Sequence, residues 1–395
     1  LECQKTGPVR MGVAHLDHGW RSESAQEASY IRSWGQSLQI PFHQKRLACS
    51  CEKGNLEEIG RRERYQFFSQ VCRERGLEGV MVAHHQGDLA ETTLKRFLEG
   101  SPFFKLSAMR DVSQMYGILI WRPFLSLSRQ EIEKRIRSAP ILPLQDPTNQ
   151  DPRFLRSRLR HEVLPYLTEK CGKQVQPGIV AVAEEAREVA DYFRERSAPF
   201  LAKVRYGPLG WWVDWRGGVP ATRLEIRYLL RFFLEQAGVS LSREIVERAA
   251  KGLLQQEAGL SFPFSGGSLW VARRQLFLLP PPTQALPPPE IFSWPWNTPP
   301  AWGGFILQRT EQAQQSVWEG KLSVVLEPGE YRLAAPDAQG LCCFAKTTLR
   351  DWWAKHRVPR CLRQLVPVVW KEGRVVREFL VQDFTATYDK IRCKN

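Results

Sequence analysis

Gly79-Val80-Met81-Val82-Ala83-His84-His85-Gln86-Gly87-Asp88-Leu89-Ala90-Glu91-Thr92 is the stretch on which the fold turns. An apolar, partly β-branched run ends in two imidazoles, and two carboxylates follow, three residues apart, where a helical pattern begins. The spacing predicts a strand over 79–83 and a helix from about residue 88 to 98. Gly100 stops that helix, because glycine enters the left-handed conformation at little cost. Asp88 and Glu91 then share one helix face. Carboxylates in a first turn also complement the helix dipole, so capping alone accounts for them. Set beside a nucleotide, the same pair holds Mg²⁺ through oxygen or orients an incoming amine. Both readings stand at this point.

Upstream, the apolar run 9–14 ends in His15-Leu16-Asp17-His18-Gly19, a buried strand emptying into a polar turn. Ser22 or Ser24 can cap a following helix carrying Ala28, Ile31, Gly35 and Leu38, before Ile40-Pro41-Phe42 resumes an extended path. Residues 56–75 read as an amphipathic helix with Ile59, Phe67, Phe68 and Val71 on its apolar side. Alternation of this kind specifies an α/β domain on a parallel sheet. Open parallel sheets bind ligands at the carboxyl ends of their strands, so the clusters at 15–19 and 84–91 are expected in one crevice.

Cations gather around that crevice in sequence. Asn55-Leu56-Glu57 leads to Gly60-Arg61-Arg62-Glu63-Arg64-Tyr65, where Arg61 and Arg64 share a helix face. After Asp146-Pro147-Thr148-Asn149 come Arg153, Arg156, Arg158, Arg160 and His161. Arginines at this density suit a phosphate backbone, and a solvated basic face is the alternative.

Beyond residue 165 the pattern changes to helices over 179–196, 221–238 and 242–256, then a small β element over 260–279. Ser265-Gly266-Gly267-Ser268 reads as a hairpin turn. The proline-rich stretch 281–294 reads as a semi-rigid linker. The division expected is therefore 1–170, a mainly helical 171–280, the linker, and 295–395.

With 56 Lys plus Arg against 42 Asp plus Glu, the formal charge of +14 favours a polyanionic partner. No apolar run reaches the roughly 18 residues of a spanning helix and no signal-peptide core opens the chain, so a cytoplasmic protein without a membrane partner is expected. Nine cysteines without a C-x-x-C pair read as reduced thiols.

In this order and spacing, His15 to Gly19, Asn55 to Tyr65 and Ala83 to Thr92 resemble successive motifs of the tRNA(Ile)-lysidine synthetase family. So do Arg122-Pro123-Phe124 with Ser128-Arg129-x-Glu131-Ile132, then Asp146-x-Thr148-Asn149, Arg156-x-Arg158-x-Arg160-His161 and Val358-Pro359-Arg360-Cys361-Leu362-Arg363. The resemblance implies an adenine-nucleotide alpha-hydrolase-like (PP-loop) domain, a helical second domain and a small α+β C-terminal domain. It implies ATP and Mg²⁺ as cofactors, and L-lysine and a CAU-anticodon tRNA(Ile) as partners, and leaves open whether two chains associate.

By the same resemblance, Asp88 and Glu91 are catalytic, with Asp88 the candidate for Mg²⁺. His15, Asp17, His18, His84 and His85 lie on the ATP side, Asn55, Arg61 and Arg64 face substrate, and Arg129, Arg153, Arg156, Arg158 and Arg160 contact tRNA. Gly87 stands where the family commonly has the first of two adjacent aspartates. A Ser-Gly-Gly-x-Asp-Ser loop is expected on a strand before residue 9 and is absent from the sequence, so the chain as given is expected to be truncated and poorly active. A non-catalytic tRNA-binding paralogue and an ATP-dependent tRNA thiolase are the alternatives; the thiolase needs reactive cysteines near the crevice.

Overall fold

Strand β1 (Val13–Asp17), helix α1 (Ser24–Ser37) and strand β2 (Phe42–Arg46) form the first β-α-β unit, with β1 and β2 paired in parallel from Val13 opposite Phe42 to Asp17 opposite Arg46. The protein is described by a computed structural model over residues 10–17, 24–47, 56–137, 151–281, 287–309, 316–337 and 342–381. Helix α2 (Leu56–Arg75) leads to β3 (Gly79–Met81), which pairs in parallel with β5 (Ile118–Trp121). β4 (Val112–Met115) adds antiparallel to β5 through Tyr116 and Gly117, both at positive φ, as a two-residue hairpin requires. Leu16, Tyr65, Phe67, Phe68, Val71, Ile118 and Ile120 bury together, so α2 packs its apolar face on β1 and on β3 alike.

Among the described residues β1 pairs only with β2, and β3 only with β5, which leaves the sheet in two pieces. A cavity of about 910 Å³ separates them, lined by Gly12, Val13 and Ala14 on one side and by Gly79, Val80 and Met81 on the other.

Helix α3 (Gln86–Leu98) follows β3, beginning two residues earlier than its pattern suggested, and is succeeded by α4 (Arg129–Ile136). Helix α5 (Leu155–Arg158), a π-helical turn (Leu159–Val163) and α6 (Leu164–Cys171) run on without a break before α7 (Gln176–Leu201). Leu89 and Ala90 of α3 bury against Val180 and Ala183 of α7 with Met109 and Leu125.

Contacts divide the chain into two compact units, Leu1–Asp191 and Tyr192–Asn395, where the sequence suggested three domains. Residues 171–280 carry the expected helices, α7, α8 (Arg223–Gln236) and α9 (Arg243–Gln255). They also carry more sheet than expected. β6 (Arg205–Gly207), β7 (Gly210–Asp214), β8 (Leu260–Phe264), β9 (Gly267–Ala272) and β10 (Gln275–Leu279) make one sheet in the order β6-β7-β10-β9-β8. The hairpin read at residues 265–268 is present, with Phe264 opposite Gly267.

Every residue of β10 is buried, and alternation sends its side chains to two different cores. Leu276 and Leu278 join Ile226, Leu229, Phe233 and Leu253 of α8 and α9, while Phe277 and Leu279 join Trp302, Phe305, Trp318, Leu333 and Trp353. The expected second and third domains thus share one buried strand.

Glu378 is buried in the second core, accepting hydrogen bonds from the indoles of Trp353 (3.0 Å) and Trp352 (3.3 Å) and from the backbone N–H groups of Leu380 and Val381. Burial pushes its carboxyl above the ordinary range despite these donors. A carboxyl with a folded pKa above its unfolded one stabilises most below the unfolded value and loses that contribution as pH rises through the folded value. We expect the second unit to unfold at lower urea at pH 8 than at pH 5 by tryptophan fluorescence, and Glu378→Gln to flatten the difference.

Candidate functional site

His85 occupies the N-cap of α3 at φ −125°, and its side chain does the work usually given to serine or threonine. Its Nδ1 accepts from the Gly87 N–H at 2.9 Å, and its backbone N–H donates to Asp88 Oδ2 at 3.0 Å. This is a capping box, so the capping reading of Asp88 is realised.

The other oxygen of Asp88 faces a second partner. Arg160 donates from Nη2 to Asp88 Oδ1 at 3.0 Å and to Glu91 Oε2 at 3.0 Å, and from Nε to Glu91 Oε1 at 2.6 Å. Glu91 is 2% exposed. Burial raises its pKa while Arg160 pulls it back, and burial also opposes the Arg160 cation, whose pKa the two carboxylates nevertheless raise. The fork holds Glu91 bidentately and reaches Asp88 with one further bond.

Arg160 lies in the π-helical turn and clamps the carboxylate pair across about seventy residues of sequence. Glu91 and Arg160 line one wall of a cavity of about 470 Å³ whose other walls include His85, Arg129, Thr168 and Gln176.

His84, beside the cap, is neutral. Burial foremost, with Arg122, Arg156 and Arg61 adding to it and Asp88 opposing, takes its pKa down to about 4. Its Nδ1 is buried without a hydrogen-bond partner. On α2, Arg61 lies over the Tyr65 ring at 5.3 Å, and Arg64 has its pKa lowered by burial and by Arg61 and Arg156. Arg156 donates to Thr92 Oγ1 at 3.2 Å. The arginines of two distant stretches therefore meet at the face of α3.

At the end of β1, burial lowers the pKa of His15, and Arg64 is among the charges it feels. Asp17 is 2% exposed, with Arg46 Nε 3.5 Å away. Arg64 thus lies within electrostatic reach of His15 on one side and of Arg156 on the other. His18, Asn55 and the Asp146–Asn149 motif lie outside the described residues.

The remaining basic candidates make local contacts, and Arg153 and Arg129 stay exposed. Arg153 is pinned on Asp151 (2.6 Å), Arg158 donates to the carbonyls of Pro152 and Arg153, and Arg129 pairs with Glu133 (2.7 Å). Thr92 and Arg122 stand in the motifs quoted above but were given no role there. Arg122 is 4% exposed and braces the Arg110 carbonyl and Ser113 Oγ. Its place directly after β5, before Pro123, was the available signal.

No group of three His, Cys, Asp or Glu residues among the described ones could hold a metal ion. Asp88 and Glu91 are already saturated by Arg160 and the cap, so the donor set present does not fit Mg²⁺. Cys72 is buried, its Sγ 3.4 Å from the Gly79 carbonyl, and burial raises its pKa, which suits a packing thiol and not the nucleophile a thiolase needs.

A PP-loop domain family model matches residues 1–167. The tRNA(Ile)-lysidine synthase of Protochlamydia amoebophila is 31% identical over 389 residues, covering 96% of this chain and 84% of that protein. That of Chlamydia muridarum is 32% identical over 250 residues, covering 63% and 78%. A solved U34-tRNA thiolase from Methanococcus maripaludis aligns at 13% identity and a TM-score of 0.36, over 47% of this chain and 66% of that one, too distant to carry an argument.

Two outcomes are expected. A histidine held neutral in the fold costs stability as pH falls from its unfolded pKa, near 6.5, to about 4, because the unfolded chain takes up the proton first. The first unit should lose on the order of 1–3 kcal/mol over that window, and His84→Gln should remove much of the slope in urea titrations at pH 7 and 4.5. Arg160→Met should destabilise by about 3 kcal/mol, since it strands two carboxylates. Adding Glu91→Gln should recover at least about 1 kcal/mol in a double-mutant cycle.

Proposed function

The chain belongs to the tRNA(Ile)-lysidine synthase family, and on that premise we propose that it joins the ε-amine of L-lysine to C2 of the wobble cytidine of a CAU-anticodon tRNA(Ile), using ATP. In this reading the cytidine carbonyl oxygen attacks the α-phosphorus of ATP and pyrophosphate leaves. The lysine amine then adds at C2, the C2–O bond breaks, AMP departs and one amine proton is released.

The observation that carries the assignment is the pair Asp88 and Glu91, locked by Arg160 at the mouth of the sheet. Two carboxylates against one guanidinium leave a net negative charge that attracts the lysine ammonium and orients its amine. Locking them removes the freedom that would blur the amine's approach. Arg61, Arg64 and Arg156, gathered near one another beside α3, would face the charge developing on the adenylate phosphoryl group. A neutral His84 adds a hydrogen-bonding group there without another cation.

The charge of +14 supports tRNA as the partner. No helix among the described residues is long and apolar enough to cross a membrane, and a reaction on tRNA with ATP belongs in the cytoplasm.

ATP-dependent incorporation of labelled lysine into an isoleucine tRNA transcript tests the reading, and tRNA binding without any incorporation would favour the non-catalytic paralogue instead. Asp88→Asn should lower incorporation by about 10²–10⁴-fold while leaving tRNA affinity near its original value. Arg156→Gln should weaken tRNA binding and reduce the slope of log affinity against log salt by about 1, whereas Arg158→Gln should leave the slope unchanged.

A further inference from the structure

Gly87 is buried in the first turn of α3 and lies outside the left-handed region, so its backbone angles do not call for glycine. On propensity alone the helix would gain from alanine there. The space beside Gly87 imposes the opposite demand. A β-carbon built on it would come within 2.6 Å of His85 Cε1, 3.0 Å of His85 Nδ1 and 3.1 Å of Gln176 Nε2, at the start of α7. The imidazole of His85 thus fills the volume that a side chain would take, and it is held there by accepting the Gly87 N–H on Nδ1.

That bond also fixes the proton of the neutral ring. With Nδ1 accepting, the hydrogen sits on Nε2. Nε2 lies 3.5 Å from Asp88 Oδ2, the oxygen that takes the His85 backbone N–H at 3.0 Å, while Arg160 holds Oδ1 at 3.0 Å. The ring separation is longer than a full hydrogen bond, yet it sets an N–H dipole against a carboxylate where the two side chains are only 20% and 15% exposed. Little water is at hand to replace that dipole. Without the ring, Asp88 would be freer to turn its second oxygen toward Arg160.

We propose that the His85 ring is a positioning group for Asp88, and that Gly87 is glycine in order to admit it. The cap selects the tautomer, the tautomer presents its N–H to Oδ2, and the carboxylate is held between imidazole and guanidinium with one oxygen turned to each. This is more than helix capping, which a serine would supply equally well. A neutral ring leaves the net charge of the site unchanged, so it sets the direction of the carboxylate and not the strength with which a cation is drawn in. The proposal rests on the reading of Asp88 as a group that orients the lysine amine.

The test compares His85→Ser, Gly87→Ala and the double variant in the full chain, by urea unfolding and by lysine incorporation. Serine keeps the N-cap and removes the imidazole. His85→Ser should therefore unfold at close to the original urea concentration, while kcat falls by about 10-fold or more and KM for lysine stays within about 2-fold. Gly87→Ala should lower kcat similarly by displacing the ring, and should lower it no further once His85 is serine. The effect of Gly87→Ala on the unfolding constant should differ by at least about 5-fold between the two backgrounds. Full kcat in His85→Ser overturns the proposal and reduces the ring to a cap, as does an equal effect of Gly87→Ala on unfolding in both backgrounds. Absence of incorporation by the unaltered chain would overturn the assigned reaction and with it the role of the ring, whereas the unfolding cycle needs no substrate and separately decides whether Gly87 makes room for His85.

Discussion

A guanidinium set between two carboxylates, one of them almost sealed from solvent, governs the carboxyl end of the first unit's sheet. Arg160 gives Glu91 both of its strong donors and gives Asp88 one. Without it, Glu91 would be a buried charge with no partner, a state folded proteins avoid by protonation or by unfolding. With it, the first turn of α3 stays fixed by side-chain pairing as well as by the capping box of His85. The arginines that gather nearby can then carry a surplus of positive charge without collapsing onto the acids, because the acids are already engaged.

Where a feature depended on neighbours in sequence, it was legible. The β-α-β rhythm, the helix 56–75, the hairpin near Gly266 and the shared face of Asp88 and Glu91 all follow from periods of two and 3.6 and from turn chemistry. What failed to show was long-range. Nothing local to Arg160 distinguishes it from Arg153 or Arg158, yet the first clamps a carboxylate pair about seventy residues away and the others close on their own loop. Density of arginine suggested one phosphate-binding surface, and packing sorted the same residues into three different jobs. Strands β6 and β7 were missed because their residues are glycine- and tryptophan-rich and too short to display alternation. The expected domain boundary near 280 met a similar obstacle, since a strand buried on both faces carries no sign of serving two cores.

The histidines illustrate how burial assigns roles that composition cannot. His84 and His85 are adjacent and chemically identical. One is an N-cap whose ring nitrogen accepts from backbone, and the other is a neutral ring with an orphaned nitrogen among arginines. They sit in the link after β3, where His85 is the N-cap of α3 and His84 precedes it.

The π-helical turn at Leu159–Val163, closed by the Leu164 N–H on the Leu159 carbonyl, takes up one more residue than an α-helical turn would. Each residue of an α-helix advances the side-chain direction by about 100°. The turn is therefore a phase shifter. Removing a single residue from it would leave a longer, more regular helix with Arg160 rotated away from α3, so the chain gives up helical regularity here to set an angle. Insertions and deletions in this helix would be read by the protein as rotations, and their tolerance should follow a period of 3.6, not their length.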